Sequence, residues 1–166
     1  MYRAEFVLMP NIDEIMSRDL KTCEADDTLE LAARGMWDGD VGAMPVIDSL
    51  GCPIGVITDR DIAMAAYTQG RPLSQLTVRS AMSDGVHVLG ENAKLDDVQT
   101  MMQRHHIRRL PVVDRQGQIV GIVTLSDLAR CAGPSPKAGI TVADIVHTLR
   151  TVSEPRSEQP RALAAQ

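Results

Sequence analysis

Two threonine–aspartate pairs are the residues best placed to do chemistry. Thr58 and Asp61 form a Thr-x-x-Asp element after one apolar run, and Thr124 and Asp127 repeat it after another. A threonine at the start of a helix accepts a backbone N–H two or three residues on, and the acid that follows favours the positive end of the helix dipole. Such pairs are sensible caps in a protein that binds nothing. They also stand where a strand end feeds a helix N-terminus, whose free N–H groups make a ready anion site. A carboxylate at that point can take both hydroxyls of a ribose. Cations suited to phosphate lie close by in sequence: Arg60 beside Asp61, and the pair Arg108-Arg109. An arginine offers a planar fork of donors for phosphate oxygens, although arginines most often sit on solvated turns.

The other reactive types carry less. His105 and His106 are sequence neighbours and do not share a helix face, while His87 and His147 are remote in sequence, so no metal site is expected. Cys23, Cys52 and Cys131 are an odd number without CxxC spacing, so neither a disulfide framework nor a zinc knuckle is expected. Cys23 aligns with Leu89 in the register described below and is read as core filler, and Cys52 falls in a hairpin turn with no base beside it. No nucleophile–base pair is present, so catalysis is not expected.

Composition narrows the partners. Of 166 residues, 44% are hydrophobic and 23% charged, the balance of a folded soluble chain. Aromatics are only 2%, which argues against base-stacking platforms, and a net charge of −5 supplies no basic field for a nucleic acid. The apolar stretch Phe6 to Met9 is too short for a signal-peptide core or a membrane span. The expectation is a cytoplasmic protein without membrane or nucleic-acid partners.

The elements that must position these residues come in duplicate. A shift of 66 residues places Met16 on Met82, Ser17 on Ser83, Pro45-Val46 on Pro111-Val112, Asp48 on Asp114, Gly51 on Gly117, Gly55 on Gly121, Thr58 on Thr124 and Asp61 on Asp127, without a gap. The identities fall on residue types that set backbone geometry and caps. Each unit reads strand, helix, strand, turn, strand, helix. Thr28 caps a helix whose apolar positions Leu29, Ala32, Ala33 and Met36 follow the helical period, and Leu95, Val98 and Met102 keep the same face. Two apolar runs flanking Asp48–Gly51 and Asp114–Gly117 read as hairpins. A start signal occurs three times, at Asn11–Met16, Thr77–Met82 and Thr141–Val146, and each reads as a capped short helix that begins a unit. The third has no unit behind it and is expected to close over the second repeat. The expected organisation is a leader at 1–11, repeats at 12–77 and 78–140, a closing helix at 141–150 and a disordered tail at 151–166.

The strings GAMPVID…GVITDRDI at 42–62 and RRLPVVD…GIVTLSDL at 108–128 resemble the cystathionine-β-synthase (CBS) domain. The resemblance implies an α/β (α+β) fold of tandem repeats, each strand-helix-strand-strand-helix, packed as a pseudo-twofold pair, commonly dimerised into a four-repeat module. It implies no enzyme but a regulatory, signal-transducing module that binds adenosine compounds (AMP, ADP or ATP, with S-adenosylmethionine or NAD as further options) in clefts between repeats. No attached enzyme or channel domain is evident in the sequence, and the run ITDRDI is similar to small bacterial stress- and hypoxia-associated members. By the resemblance, Asp61 and Asp127 bind ribose, and Thr58, Thr124 and Ser126 contact sugar or phosphate. Arg108 and Arg109 serve the phosphate of the nucleotide held by Asp61, with Arg60 adding charge. The Asp127 cleft lacks such a pair, since Gly42 and Ala43 hold the matching positions. The adenine side falls on Thr22, Val41, Ala43, Val88 and Ile107, through main-chain and apolar contact. A homodimer and an effector protein are the implied partners. The competing reading is a ligand-free dimerisation or protein-interaction module.

Overall fold

The computed structural model describes residues 11–133 and 139–154. Each repeat forms a three-stranded sheet with its helices. In the first, β1 (Cys23–Glu24) leads into α2 (Leu29–Asp38), the hairpin β2 (Ala43–Ile47) and β3 (Pro53–Thr58) follows, and α3 (Asp59–Gln69) closes the unit, with α1 (Ile12–Ile15) ahead of it. The second has β4 (Leu89–Gly90), α4 (Leu95–His105), β5 (Arg109–Val113), β6 (Ile119–Thr124) and α5 (Leu125–Cys131). The sheet orders are β1-β2-β3 and β4-β5-β6; the first pairing in each is parallel and needs its crossover helix, and the second is an antiparallel hairpin.

The repeated residues explain the repeated geometry. Asp48 Oδ1 accepts the backbone N–H groups of Leu50 and Cys52, Asp114 Oδ1 accepts those of Gln116 and Gln118, and Gly51 and Gly117 take the positive φ that these turns need. Thr28 caps α2 by accepting the Leu31 N–H. Leu29, Ala32 and Met36 are buried on one face of α2, and Leu95, Val98 and Met102 on the same face of α4.

The start signals depart from expectation. Only Thr141 opens a helix with a side-chain cap, accepting the Asp144 N–H at the head of α6 (Val142–Ser153); α1 is a single turn without one, and Thr77 precedes a 3-10 turn, Val78–Ser80. Nor does each of the first two serve the repeat it precedes. Ile12 and Met16 are buried in the core of the second repeat, whereas Val78 and Met82 pack into that of the first. Ser17 and Ile122 exchange two backbone hydrogen bonds, at 2.9 and 3.0 Å, and Ser83 donates to Val56 O and accepts the Val56 N–H. These crossed contacts account for two of the repeated glycines. A Cβ on Gly121 would collide with the Met16 side chain, and one on Gly55 would lie 3.0 Å from the Ser83 carbonyl and 3.4 Å from the Met82 sulfur.

α6 lies against α4 and α5. It runs through Ser153, three residues into the stretch expected to be tail, because Val152 continues the buried face begun by Thr148. The rest of the expected tail, and the leader before Asn11, lie outside the described residues. No helix among the described residues is long and apolar enough to cross a membrane.

Candidate functional site

Both Thr-x-x-Asp elements form reciprocal capping boxes. Asp61 N–H donates to Thr58 Oγ1 at 3.2 Å, while Asp61 Oδ2 accepts from Thr58 N at 3.1 Å and Thr58 Oγ1 at 2.6 Å. The second box matches it at 3.2, 2.7 and 2.7 Å. One carboxylate oxygen of each aspartate is therefore occupied by its own helix start. The other oxygens differ. Asp127 Oδ1 is held by Arg130, and the residue is only 3% exposed. Asp61 is half-buried, and its Oδ1 makes no hydrogen bond among the described residues, because Met64 stands where the second repeat has Arg130. Arg130 stands at i+3 from Asp127 on the same helix, a spacing legible in the sequence.

The two arginines do not act as a pair. Successive residues entering a strand face opposite sides. Arg108 Nη2 donates to Ser153 Oγ on α6 at 2.9 Å. Arg109 instead reaches the first repeat: a Cβ on Gly42 would lie 3.8 Å from Arg109 Nη2 and 3.3 Å from Asp59 Oδ2. Gly42 O also accepts the Asp59 N–H at 3.2 Å. Glycine at 42 thus leaves a space that Arg109 of one repeat and Asp59, on the first turn of α3 in the other, both border without forming an ion pair. Arg60 and Asp61 occupy that same turn, with Arg60 N–H donating to Asp59 Oδ1. At the equivalent junction of the second repeat, Leu125 N–H donates to Arg108 O, and Ser126 is exposed on the first turn of α5.

The positions assigned to adenine are scattered. Thr22 and Val88 are half-buried just ahead of β1 and β4, Ala43 is buried in β2, and Val41 and Ile107 precede the hairpins. The N–H groups of Val41 and Ile107 already donate to Met36 O and Met102 O, so a base could meet those residues only through carbonyls and side chains. Two cavities open on the first repeat. One, of about 460 Å³, runs between α2 and α3 past Trp37, Val41, Gly42 and Asp59; the other, of about 400 Å³, includes Thr22, Cys23 and Met44. Neither cavity is lined by Asp61 or Asp127.

Burial, and then Asp27, push the Cys23 thiol up to about 11, which keeps it protonated. His87, remote from His105 in sequence, stacks on it with ring centroids 3.6 Å apart. Burial, with His87 and Arg104, holds His105 below its ordinary value. No group of three or more His, Cys, Asp or Glu side chains converges as a metal site among the described residues.

Comparison with known proteins follows the same repeat. The CBS domain matches residues 12–67 and 78–133. The CBS domain-containing protein YhcV of Bacillus subtilis (strain 168) is 37% identical over 139 residues, spanning 84% of this chain and 97% of the relative. A crystal structure of Hypoxic Response Protein I with two coordinated zinc ions superposes with a TM-score of 0.67 at 28% identity, over 75% of this chain and 100% of that one. The described residues offer no cluster that fits such an ion. The CBS domain pair of protein MJ0100, in complex with 5-methylthioadenosine and S-adenosyl-L-methionine, superposes with a TM-score of 0.65 at 29% identity, over 73% of this chain and 98% of that one. The chain belongs to the CBS domain family and carries two of its domains in tandem.

Proposed function

We propose that the chain is a regulatory module that binds one adenosine compound at the junction of its repeats and passes a change in their geometry to an effector protein. The observation that carries this reading is the meeting of Arg109 with the Gly42–Asp59 turn that leads into Asp61. The reading is supported by the approach of a phosphate-type donor from one repeat to the turn whose helix carries Asp61, a carboxylate that keeps one oxygen free of its cap. A ligand spanning both repeats biases their relative arrangement by no more than its differential affinity for the two states. The MJ0100 pair, solved with two adenosine compounds, supports this ligand class. Asp61, Thr58, Arg60 and Arg109 form the proposed site. Asp127 and Arg108, held by Arg130 and Ser153, are assigned structural roles. The reading includes a homodimer and, from three free cysteines, a reducing cytoplasm.

The ligand-free interaction module is supported by one observation: both aspartates already work as caps. Thermal unfolding separates the readings. A ligand at a hundred times its dissociation constant adds about 2.7 kcal/mol to the native state, which raises the midpoint of a chain this size by several degrees. The proposal expects such a rise with at least one of AMP, ADP, ATP, S-adenosylmethionine or NAD at millimolar concentration. No rise with any of them favours the ligand-free module.

A further inference from the structure

We infer that the connector between the two repeats is a proton-sensitive latch: the stacked rings of His87 and His105 hold it on the end of α4 when neutral and release it when both are charged. The connector runs from Ser83 to Val88 without regular secondary structure. One end is tied to the first repeat, where Ser83 exchanges hydrogen bonds with Val56 of β3. The other end enters β4, where Leu89 pairs with Val112 of β5 in the second repeat. Between these anchors His87 stacks on His105, in the last turn of α4, with ring centroids 3.6 Å apart and ring planes at 25°.

The 66-residue register supplies a control within the same chain. Ser17 binds Ile122 of β6 as Ser83 binds Val56 of β3. His87 and His105 correspond to Lys21 and Gly39. Lys21 lays its stem across the end of α2, where a Cβ on Gly39 would lie 2.9 Å from Lys21 Cγ. The last turn of α2 carries no base, so the Lys21 ammonium meets a helix C-terminus whose dipole favours a cation. That charge does not change near neutral pH. The second repeat makes the same closure from two rings of the one side chain that ordinarily titrates there, at about 6.5.

Charge sets the direction of the switch. Arg104 and His105 already occupy the last turn of α4, and His106 is its C-cap. Protons on both His87 and His105 set two like charges face to face beside the Arg104 guanidinium. Burial, His87 and Arg104 already hold His105 below its ordinary value. No carboxylate forms an ion pair with either ring among the described residues. Of the elements packed on α4, α6 brings Asp144, His147 and Arg150, and β5 brings Arg109; the connector brings Asp84. None of these is among the groups acting on His105. The stack is therefore closed above the histidine range and lost as pH falls through it. Release slackens one tie between β3 and β5, and so acts on the relative arrangement of the repeats whether or not a ligand is bound.

Backbone ¹⁵N relaxation of the full chain tests the latch. At about pH 7.5 the amides of residues 84–88 should be ordered, with order parameters near the rigid value of about 0.85, and at about pH 5.5 they should fall below about 0.6. Residues 18–22, the matching segment of the first repeat, should keep their order at both pH values. His87→Gln and His105→Gln each remove one of the two facing charges, and either should cut the pH-dependent change to less than about half. Unchanged order parameters in the strands and helices would show both variants to be folded. A connector equally ordered at both pH values, or already loose at the higher one, overturns the inference. So does an equal loss of order at 18–22, or a full response that persists in both variants. The ligand reading survives each of these results, because its site does not include either ring.

Discussion

The two repeats share a backbone and differ in what they leave open. In the second, Asp127 is closed by Arg130 and the helix face by α6, with Thr148 fully buried between Gln99 and Gln103. In the first, the same positions are Asp61 beside Met64, and Ala33 with Trp37, with no helix over them among the described residues. The repeats share the residues that set turns and caps and differ in the side chains that close a surface. At these positions the second repeat is closed and the first is open, which is the contrast the proposed function rests on.

If so, removing the second carboxylate should cost more than removing the first. Asp127→Ala is expected to lower stability by about 2–3 kcal/mol, through loss of a cap and of a buried acceptor for Thr124. Asp61→Ala should cost about 1 kcal/mol, because the same cap and acceptor are only half-buried there. Urea midpoints at constant slope would show the difference, and equal losses would break the comparison.

The helix faces give a second contrast. Thr148→Val removes the acceptor shared by two glutamines and is expected to cost about 1–2 kcal/mol. Trp37→Gln, which gives the first repeat the residue of the second, should change stability by about 0.5 kcal/mol or less because the side chain is exposed. A large loss from Trp37→Gln would mean that the first face is structural too.

The smallest effect concerns the histidine contact. His105 binds its proton less readily in the folded chain than in the unfolded one, because burial and the neighbouring His87 and Arg104 disfavour the charged ring. The unfolded state then holds more protons, so this contribution is present above the ordinary histidine range, about 6.5, and is lost as pH falls through it. His87→Ala should flatten the pH dependence of the unfolding free energy between about 7 and 5. An unchanged slope would show that the ring contact contributes nothing.

Much of the fold could be read from the sequence because the repeated residues are those whose backbone roles are local. Asp48 and Gly51 make a turn wherever they fall in this spacing, and Thr58 with Asp61 makes a cap. Partner choice was not legible. Nothing local in Met16 or Met82 states that each belongs to the other repeat's core; the signal lay in Gly121 and Gly55, whose missing side chains make room for them. The split between Arg108 and Arg109 follows from strand alternation, but its consequence depends on α6 bringing Ser153 to one side and the Gly42 turn lying on the other. The extension of α6 to Ser153 was legible as Val152 four residues after Thr148. His87 and His105 meet only through tertiary structure.

The central claim is tested most directly by titration calorimetry with the nucleotide that gives the largest thermal shift. It predicts one binding event per chain, weakened roughly tenfold or more by Asp61→Asn and by Arg109→Ala, and left intact by Asp127→Asn. Two equal binding events, or loss of binding in Asp127→Asn with Asp61→Asn unaffected, would contradict it.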